Sequence, residues 1–575
     1  MTRFLPAPSR ATRVVCALLV ASAGCRFFPA ISRDRAAQIR RVDPAVIARV
    51  GSDSGAEWLT YGRGYDNSRY SPLTQIDTSN VGSLAVRRSW HTGGKKHGSF
   101  ETSPVVAQGI MYLTPPRPGL VAYDLVHGRE LWRYTHRLGG LALCCGLVNR
   151  GPALGYGMVF IATIDARLLA FDAISGKPRW ETVIDTPSQG YSASMAPLVV
   201  DSLVIVGVAG AEFGIRGHLS AYHVATGRLV WRWYAVPSPA EGGWWGRWAD
   251  TTPGGERLGR NLRREKADSA RYPDAWRHGG GSIWTTPAYD PATGRLYFGV
   301  GNPAPPYDGS VRPGDNLYTG SIVALDARTG RLAWYYQYLP HDVWDLDAAA
   351  PPVLVHDGGR SLVVHAGKTG WVYVLDADDG TLVRRSAPFV PQENLFATPT
   401  AAGIRMSPGS DGGANWSPLA YSPKTGYVYV VGTHKPMRFV IEDDSLRAGD
   451  DYLGGTSLPI PGEPQWGTIT AISVASGRIE WQVRTDQPMV GGTLATAGGL
   501  VFTGEGSGWF RAYDARTGRK LWEYKAAAGV NAPPISFEVD GEQLIAVAAG
   551  GNQNFGFPFG DELLVFGLPG GRDRH

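Results

Sequence analysis

ALDARTGRLAW, residues 324–334, holds an apolar–x–Asp step, a Thr-Gly turn and a short apolar strand that ends in Trp. The pattern returns as AYDLVHGRELW (122–132), AFDAISGKPRW (170–180), AYHVATGRLVW (221–231), AISVASGRIEW (471–481) and AYDARTGRKLW (512–522). VLDADDGTLVR (374–384) is a version without its Trp, and LAVRRSW (84–90) is a half copy. Most steps between successive ends are 41 to 51 residues, the length of a four-stranded propeller blade. The steps from 231 to 334 and from 384 to 481 are nearly double, and each is read as one blade plus an insertion. The first insertion, 235–281, is polar, with a short helix expected near 256–268. The second, 435–464, is rich in Pro and Gly.

The expected fold is therefore all-β: an eight-bladed β-propeller of four-stranded blades. A lone four-stranded sheet cannot bury both faces, whereas radial stacking buries them and protects the edges. Gly in each turn supplies positive φ, Asp bonds its own turn, and each Trp is expected to pack between neighbours. After Trp522 only three strands remain, APPISFEV, EQLIAVAAG and ELLVFGL. The half copy before Trp90 can supply the fourth, so an N-terminal strand closes the last blade.

The 575 residues include 75 Gly and 41 Pro, about a fifth of the chain, too turn-rich for a helical protein. A hydrophobic content of 43% is too high for a disordered one. The N-terminus reads as an export signal: a basic MTRFLPAPSRATR, an apolar VVCALLVASA, then small residues. Cleavage after Ala23 and a lipoprotein site at Cys25 are both open. Residues 1–24 are assigned to the signal, 25–55 to a linker and 56–570 to the propeller. The protein is expected in the periplasm, freely soluble or held there by a lipid at Cys25. The formal charge of +5 falls to about +2 without Arg3, Arg10 and Arg13, which makes no case for a nucleic-acid surface.

Cys144 and Cys145 are adjacent, and the only other cysteines, Cys16 and Cys25, lie near the N-terminus. Neighbouring Cα atoms stand about 3.8 Å apart, closer than a disulfide usually spans. A bridge between them would be strained and close almost no loop, which points to a functional surface. Two small buried thiols are the alternative.

CCGLVNRG (144–151) resembles a signature of the quinoprotein alcohol dehydrogenases, the methanol dehydrogenase large subunit and its relatives, which bind pyrroloquinoline quinone (PQQ) in a propeller. The resemblance spans nearly the whole mature chain. It includes YGRGYDNSRYSPLTQI (61–76), GAEFGIRG (210–217), GGGSIW (279–284), GNPAP (301–305), HDVWDLD (341–347), GANWSP (413–418) and GGTLATAGGLVF (491–502). It implies that PQQ, a flat ortho-quinone with three carboxylates, lies between Trp284 and a Cys144–Cys145 disulfide, and an indole face suits such a ring. Arg150, Ser194, Ser282, Glu101 and Asn415 match further cofactor contacts, as do Val148, Gly210 and Ala211 within the matching motifs. At 194 and 282 family members often have Thr. Lys368 matches the basic residue beside the reactive quinone oxygens, where a cation stabilises developing charge.

The resemblance also implies a metal held by Glu212, Asn302 and Asp345, an oxygen-only set that suits a hard cation. Asp347 is informative. Calcium methanol dehydrogenases carry a small residue there and lanthanide-dependent relatives carry Asp, yet membrane glucose dehydrogenases also show WDxD. Both Ca²⁺ and a lanthanide stay open. The implied reaction uses Asp345 as general base and Lys368 beside the quinone, with hydride passing from the alcohol carbon to PQQ. No C-x-x-C-H occurs, so a separate periplasmic cytochrome c is the implied electron acceptor. Met489 and Val490 stand where many alcohol-oxidising relatives carry Trp, which suggests a roomier pocket. Primary alcohol, aldehyde, polyol and sugar all remain open as substrates. A rival reading is a non-catalytic propeller lipoprotein, since outer-membrane assembly factors use similar repeats. No strand–GxGxxG–helix unit or HExxH motif argues for a nicotinamide or zinc enzyme.

Overall fold

The computed structural model describes residues 31–94, 98–139 and 145–570; the expected signal, Cys25 and Cys144 lie outside them. The repeat builds its sheets as expected. Val105–Ala107, Ile110–Leu113, Gly119–Asp124 and Arg129–Thr135 form one antiparallel sheet, and equivalent four-strand meanders occupy 153–183, 198–234, 288–337 and 353–385. A further one lies within 420–485, and another within 493–525 gains a fifth strand, Tyr70–Ser71, parallel to Thr493–Thr496. Ala85–His91 pairs antiparallel with Glu562–Gly567 and so completes the sheet of Ile535–Val539 and Glu542–Ala549. The N-terminal half copy thus joins the last three strands, as the repeat count required.

The turn and the Trp act together. In ALDARTG, Asp326 Oδ1 accepts from Thr329 N–H at 2.8 Å and from its hydroxyl at 2.6 Å, and Gly330 takes φ +69°. Trp334, ten residues after Ala324, donates its indole N–H to Ala377 O of the following sheet at 2.9 Å. The next turn glycine, Gly380, lies flat on that indole: a Cβ there would stand 2.4 Å from Trp334 Cε3. The same link runs from Trp132 to Ala173, Trp180 to Val224, Trp231 to Ala327 and Trp481 to Ala515. Trp522 donates to Leu84 O, carrying the series across the chain ends. One apolar cluster joins the first four of these sheets, and another joins the last two to the first. The sheets follow one another around an axis, as in a propeller.

Residues 58–71 plug that axis. Trp58 bridges Val106, Tyr65 O accepts from Tyr289 N–H, and Asp66 O accepts from Leu354 N–H. Ser68 O and Arg69 O accept from Tyr421 and Ala495. The fully buried Arg69 guanidinium donates to Thr493 O, Tyr61 O and Pro534 O. One short segment therefore bonds to most of the sheets.

Two expectations need correction. The stretch 25–55 is not a bare linker: Arg33–Arg40 and Pro44–Ala48 are helices whose Ile39 and Ile47 enter the core. Asp43 caps the second helix, and Arg35 pairs with buried Asp124 at 3.0 Å. The helix expected over 256–268 is shorter, Leu262–Asp268, because Asn261 caps it and Arg257 is bridged to Thr251. The insertion 435–464 carries strands of its own: Met437–Ile441 and Gly455–Pro459 pair, and with Ile404–Met406 make a three-stranded sheet.

Candidate active site

The axial cavity is lined by Glu101, Cys145, Val148, Arg150, Ser194, Gly210, Glu212, Ser282, Trp284, Asp345, Asp347, Lys368 and Asn415. These are thirteen of the sixteen residues singled out from the sequence, drawn from loops across most of the chain. Cys145 is disulfide-bonded, and its expected partner Cys144 lies outside the described residues. Ala211 and Asn302 stand behind the wall. Ala211 N–H donates to Ser282 Oγ at 2.9 Å, and Asn302 N–H donates to Asp347 Oδ1 at 2.8 Å.

Local backbone explains these placements. Gly210 at φ +118° starts a short 3₁₀ turn, Ala211–Phe213, that brings Glu212 inward; a side chain at 210 would meet Gly190 O at 2.1 Å. In HDVWDLD, Asp342 accepts from Trp344 N–H at 2.8 Å and Leu346 N–H at 2.9 Å, and Asp345 sits at φ +57° between them. Asp tolerates that left-handed conformation better than most residues.

One side of the cavity is cationic and aromatic. Arg150 donates to Ser194 Oγ at 2.9 Å, pairs with Glu101 at 3.1 Å, and holds its guanidinium carbon 4.7 Å from the Trp284 ring. Burial pushes the Glu101 carboxyl up and the Arg150 charge opposes it. The buried Nε of Arg150 has no hydrogen-bond partner among the described residues. The neighbouring part of the lining is acidic. Lys368 donates to Asp345 O at 2.9 Å and to its Oδ1 at 3.1 Å, and lies 3.9 Å from Asp347. Burial drives Asp345 well above the usual carboxylate range; Lys368 opposes that, and Asp347 and Glu212 add to it. Burial would pull the Lys368 ammonium down, but Asp345 and Asp347 hold it above its ordinary value. Glu212 is pushed up by burial and by Asp347.

Three carboxylates, Asp347 buried and Glu212 and Asp345 partly so, face one ammonium and leave negative charge uncompensated, and the donors are all oxygen, which fits a hard cation. Among the described residues no three His, Cys, Asp or Glu side chains close around one point. The Oδ1 of Asn302 takes no hydrogen bond among these residues, its amide nitrogen being bonded to Pro303 O. The donor set thus fits an ion whose shell is completed by Asn302 and an oxygen-bearing cofactor. The unpartnered guanidinium nitrogen and the exposed indole face fit an anionic, flat molecule.

Sequence reading missed part of the lining. Trp416, 6.3 Å from Trp284, follows a residue it did name. Asn552, which donates to Glu101 Oε1 at 2.7 Å, comes from GNQNFGFPFG, a glycine-rich loop outside the repeat. Asp411 and Asn554 also line the cavity.

A ring of sheets with a charged, aromatic-walled axial cavity defines a cofactor-binding β-propeller. The chain belongs to the PQQ-dependent glucose/ethanol/alcohol dehydrogenase β-propeller family, whose model matches residues 58–386 and 450–545. It is a quinoprotein oxidoreductase. The quinoprotein alcohol dehydrogenase PedH of Pseudomonas putida is 34% identical over 519 residues, 86% of each chain. The quinohemoprotein alcohol dehydrogenase ADH IIB of Pseudomonas putida is 35% identical over 572 residues, covering 92% of this chain and 80% of that one. Among solved structures, the quinohemoprotein alcohol dehydrogenase of Comamonas testosteroni superposes with a TM-score of 0.82 at 30% identity, covering 94% of this chain and 84% of that one. A europium-containing methanol dehydrogenase gives 0.80 at 29% identity, covering 91% and 100%. These relatives set aside the reading of a non-catalytic scaffold.

Proposed function

We propose that this chain is a periplasmic alcohol dehydrogenase, built as an eight-bladed propeller, that passes electrons to a separate cytochrome c. The observation that carries the reading is the convergence of Asp345, Asp347 and Lys368 with Arg150 and Trp284 on one cavity. Bound there, PQQ with Ca²⁺ or a lanthanide would supply the electron sink and the Lewis acid. Arg150, Ser194 and Glu101 would bind and orient the cofactor's polar rim. Trp284 would support one face, and the disulfide expected between Cys144 and Cys145 would cover the other. Glu212, Asn302, Asp345 and Asp347 would hold the cation, the extra carboxylate of Asp347 favouring a trivalent one.

Asp345 takes the proton of the alcohol hydroxyl, and Lys368 holds that residue in place by bonding both its backbone carbonyl and its carboxylate Oδ1. The cavity's aromatic flank excludes water. The N-terminal signal supports export, with either a free mature chain or a lipid at Cys25.

The test is reconstitution of purified protein with PQQ and either Ca²⁺ or La³⁺, followed by dye-linked oxidation of a panel of alcohols, aldehydes, polyols and sugars. Alcohol-dependent dye reduction is expected. A protein that binds quinone and ion but turns over only sugars would replace the alcohol reading with a sugar dehydrogenase. Mass spectrometry of the exported protein decides between Ala23 cleavage and Cys25 lipidation.

A further inference from the structure

One carboxylate in the cavity has no part in the reading above. Asp411 lines it together with Lys368, Asn415 and Trp416, close enough for its charge to act on Lys368. Its Oδ2 accepts a hydrogen bond from Lys435 Nζ. Lys435 is buried, and its ammonium also faces the Phe555 ring at 4.7 Å. The Lys435 backbone is fixed in turn, since its carbonyl accepts from Gly409 N–H at 3.1 Å. The second oxygen of Asp411, Oδ1, takes no hydrogen bond among the described residues, and about a quarter of the side chain (26%) is exposed. One oxygen is anchored and the other is free.

Aromatic groups lie beside this anchored pair. Trp416 meets Phe555 edge-on at 6.0 Å, and Phe555 stacks on Phe557 at 5.5 Å. A molecule entering here meets aromatic rings and, at Asp411, an acceptor-only carboxylate apart from those assigned to the cation. An ionised carboxylate accepts hydrogen bonds but cannot donate one, so it favours a donor and disfavours an anion. Charge-assisted hydrogen bonds are about twice as strong as neutral ones, enough to discriminate between substrates.

We infer that Asp411 is a specificity-determining residue and that the preferred substrates are alcohols bearing a second hydrogen-bond donor. Diols and amino alcohols meet this description; simple alkanols lack the donor, and hydroxy acids bring a repelled carboxylate. Lys435 is the positioning residue, its ammonium set against the Phe555 ring and bonded to Asp411. The inference rests on the reading of the cavity as an alcohol-oxidising site and names the substrate class for it.

The experiment compares PQQ- and metal-loaded wild type with Asp411→Asn and with the double variant Asp411→Asn/Lys435→Met. The double variant removes both charges together, so that no buried ammonium is left unpaired if the single variant fails to fold. Substrates are 1-propanol, 1,2-propanediol, 2-aminoethanol and lactate. In the wild type the diol and amino alcohol are preferred. In the variants the ratio of kcat/KM for 1,2-propanediol over 1-propanol falls about tenfold, mostly through KM, and lactate gains on both. Calorimetry on the loaded protein gives a matching rise in the diol's Kd. A larger fall for 2-aminoethanol than for the diol assigns the preference to ammonium donors, and equal falls assign it to donors in general. Unaltered ratios in the variants, with wild-type alcohol oxidation present, overturn the role of Asp411. If loaded wild type oxidises none of these alcohols, the underlying reading fails instead.

Discussion

Trp284 donates its indole N–H to Asp347 Oδ2 at 3.1 Å. The residue expected beneath the cofactor and the carboxylate expected at the ion are therefore one hydrogen-bonded unit, with Asn302 N–H on the other Asp347 oxygen. Trp284→Phe keeps a flat ring but frees Asp347 to turn. Ion affinity should drop about 10- to 100-fold, as when other partners that orient a ligand are removed. Titration of PQQ-loaded protein with La³⁺ and Ca²⁺ measures it; an unaltered affinity would detach Asp347 from the ion.

Arg150→Lys keeps the charge and loses the fork that reaches Ser194 and Glu101 at once. Retention of PQQ should weaken at least about tenfold. Absorbance titration of the quinone reads this directly, with circular dichroism as the check on folding.

Trp334 and Gly380 make one joint between sheets. Trp334→Ala should cost about 3–5 kcal/mol, from lost burial and an orphaned carbonyl at Ala377. Gly380→Ala should also destabilise, because φ is +76° there and the new methyl meets the indole. Calorimetric melting temperatures order the variants, and the reverse order, with Gly380→Ala the worse, would mean the joint resists strain less than it needs burial.

The repeat made most of this legible. Period and turn chemistry are local, so Asp326, Gly330 and Trp334 could be read straight from the string. The thirteen cavity residues came from resemblance, since Glu101 and Lys368 share no local pattern that marks them as neighbours. What stayed hidden depends on contacts remote in sequence. Arg69 looks like any loop arginine until the axis closes on it, and Asp411 gains meaning only through Lys435 and Phe555. The helices at 33–48 were hidden because their apolar residues are few and become informative only against the sheet they cover.

His218 gives a pH prediction. It is fully buried, bonded to Ser220 and Asp185, and burial lowers its pKa to about 4 while Asp185 opposes the shift. The unfolded chain would protonate it near its ordinary 6.5, so the unfolded state binds more protons between the two values. Stability is therefore whole above about pH 6.5 and is lost as pH falls toward 4, by roughly 3 kcal/mol at most. His365, lowered to about 3 by burial, acts in the same direction. Melting temperature should fall across this window, and His218→Gln should flatten the fall. A variant with the wild-type slope would exclude His218 as the source.

The pairing of Ala85–His91 with Glu562–Gly567 has a consequence for synthesis. His91 meets Asp561 across 470 residues of chain. During synthesis the early strand must wait, unpaired, until residues 562–567 have been made. A chain interrupted before those residues would have an open seam and a bare strand edge, which quality-control proteases could recognise without inspecting the catalytic centre at all.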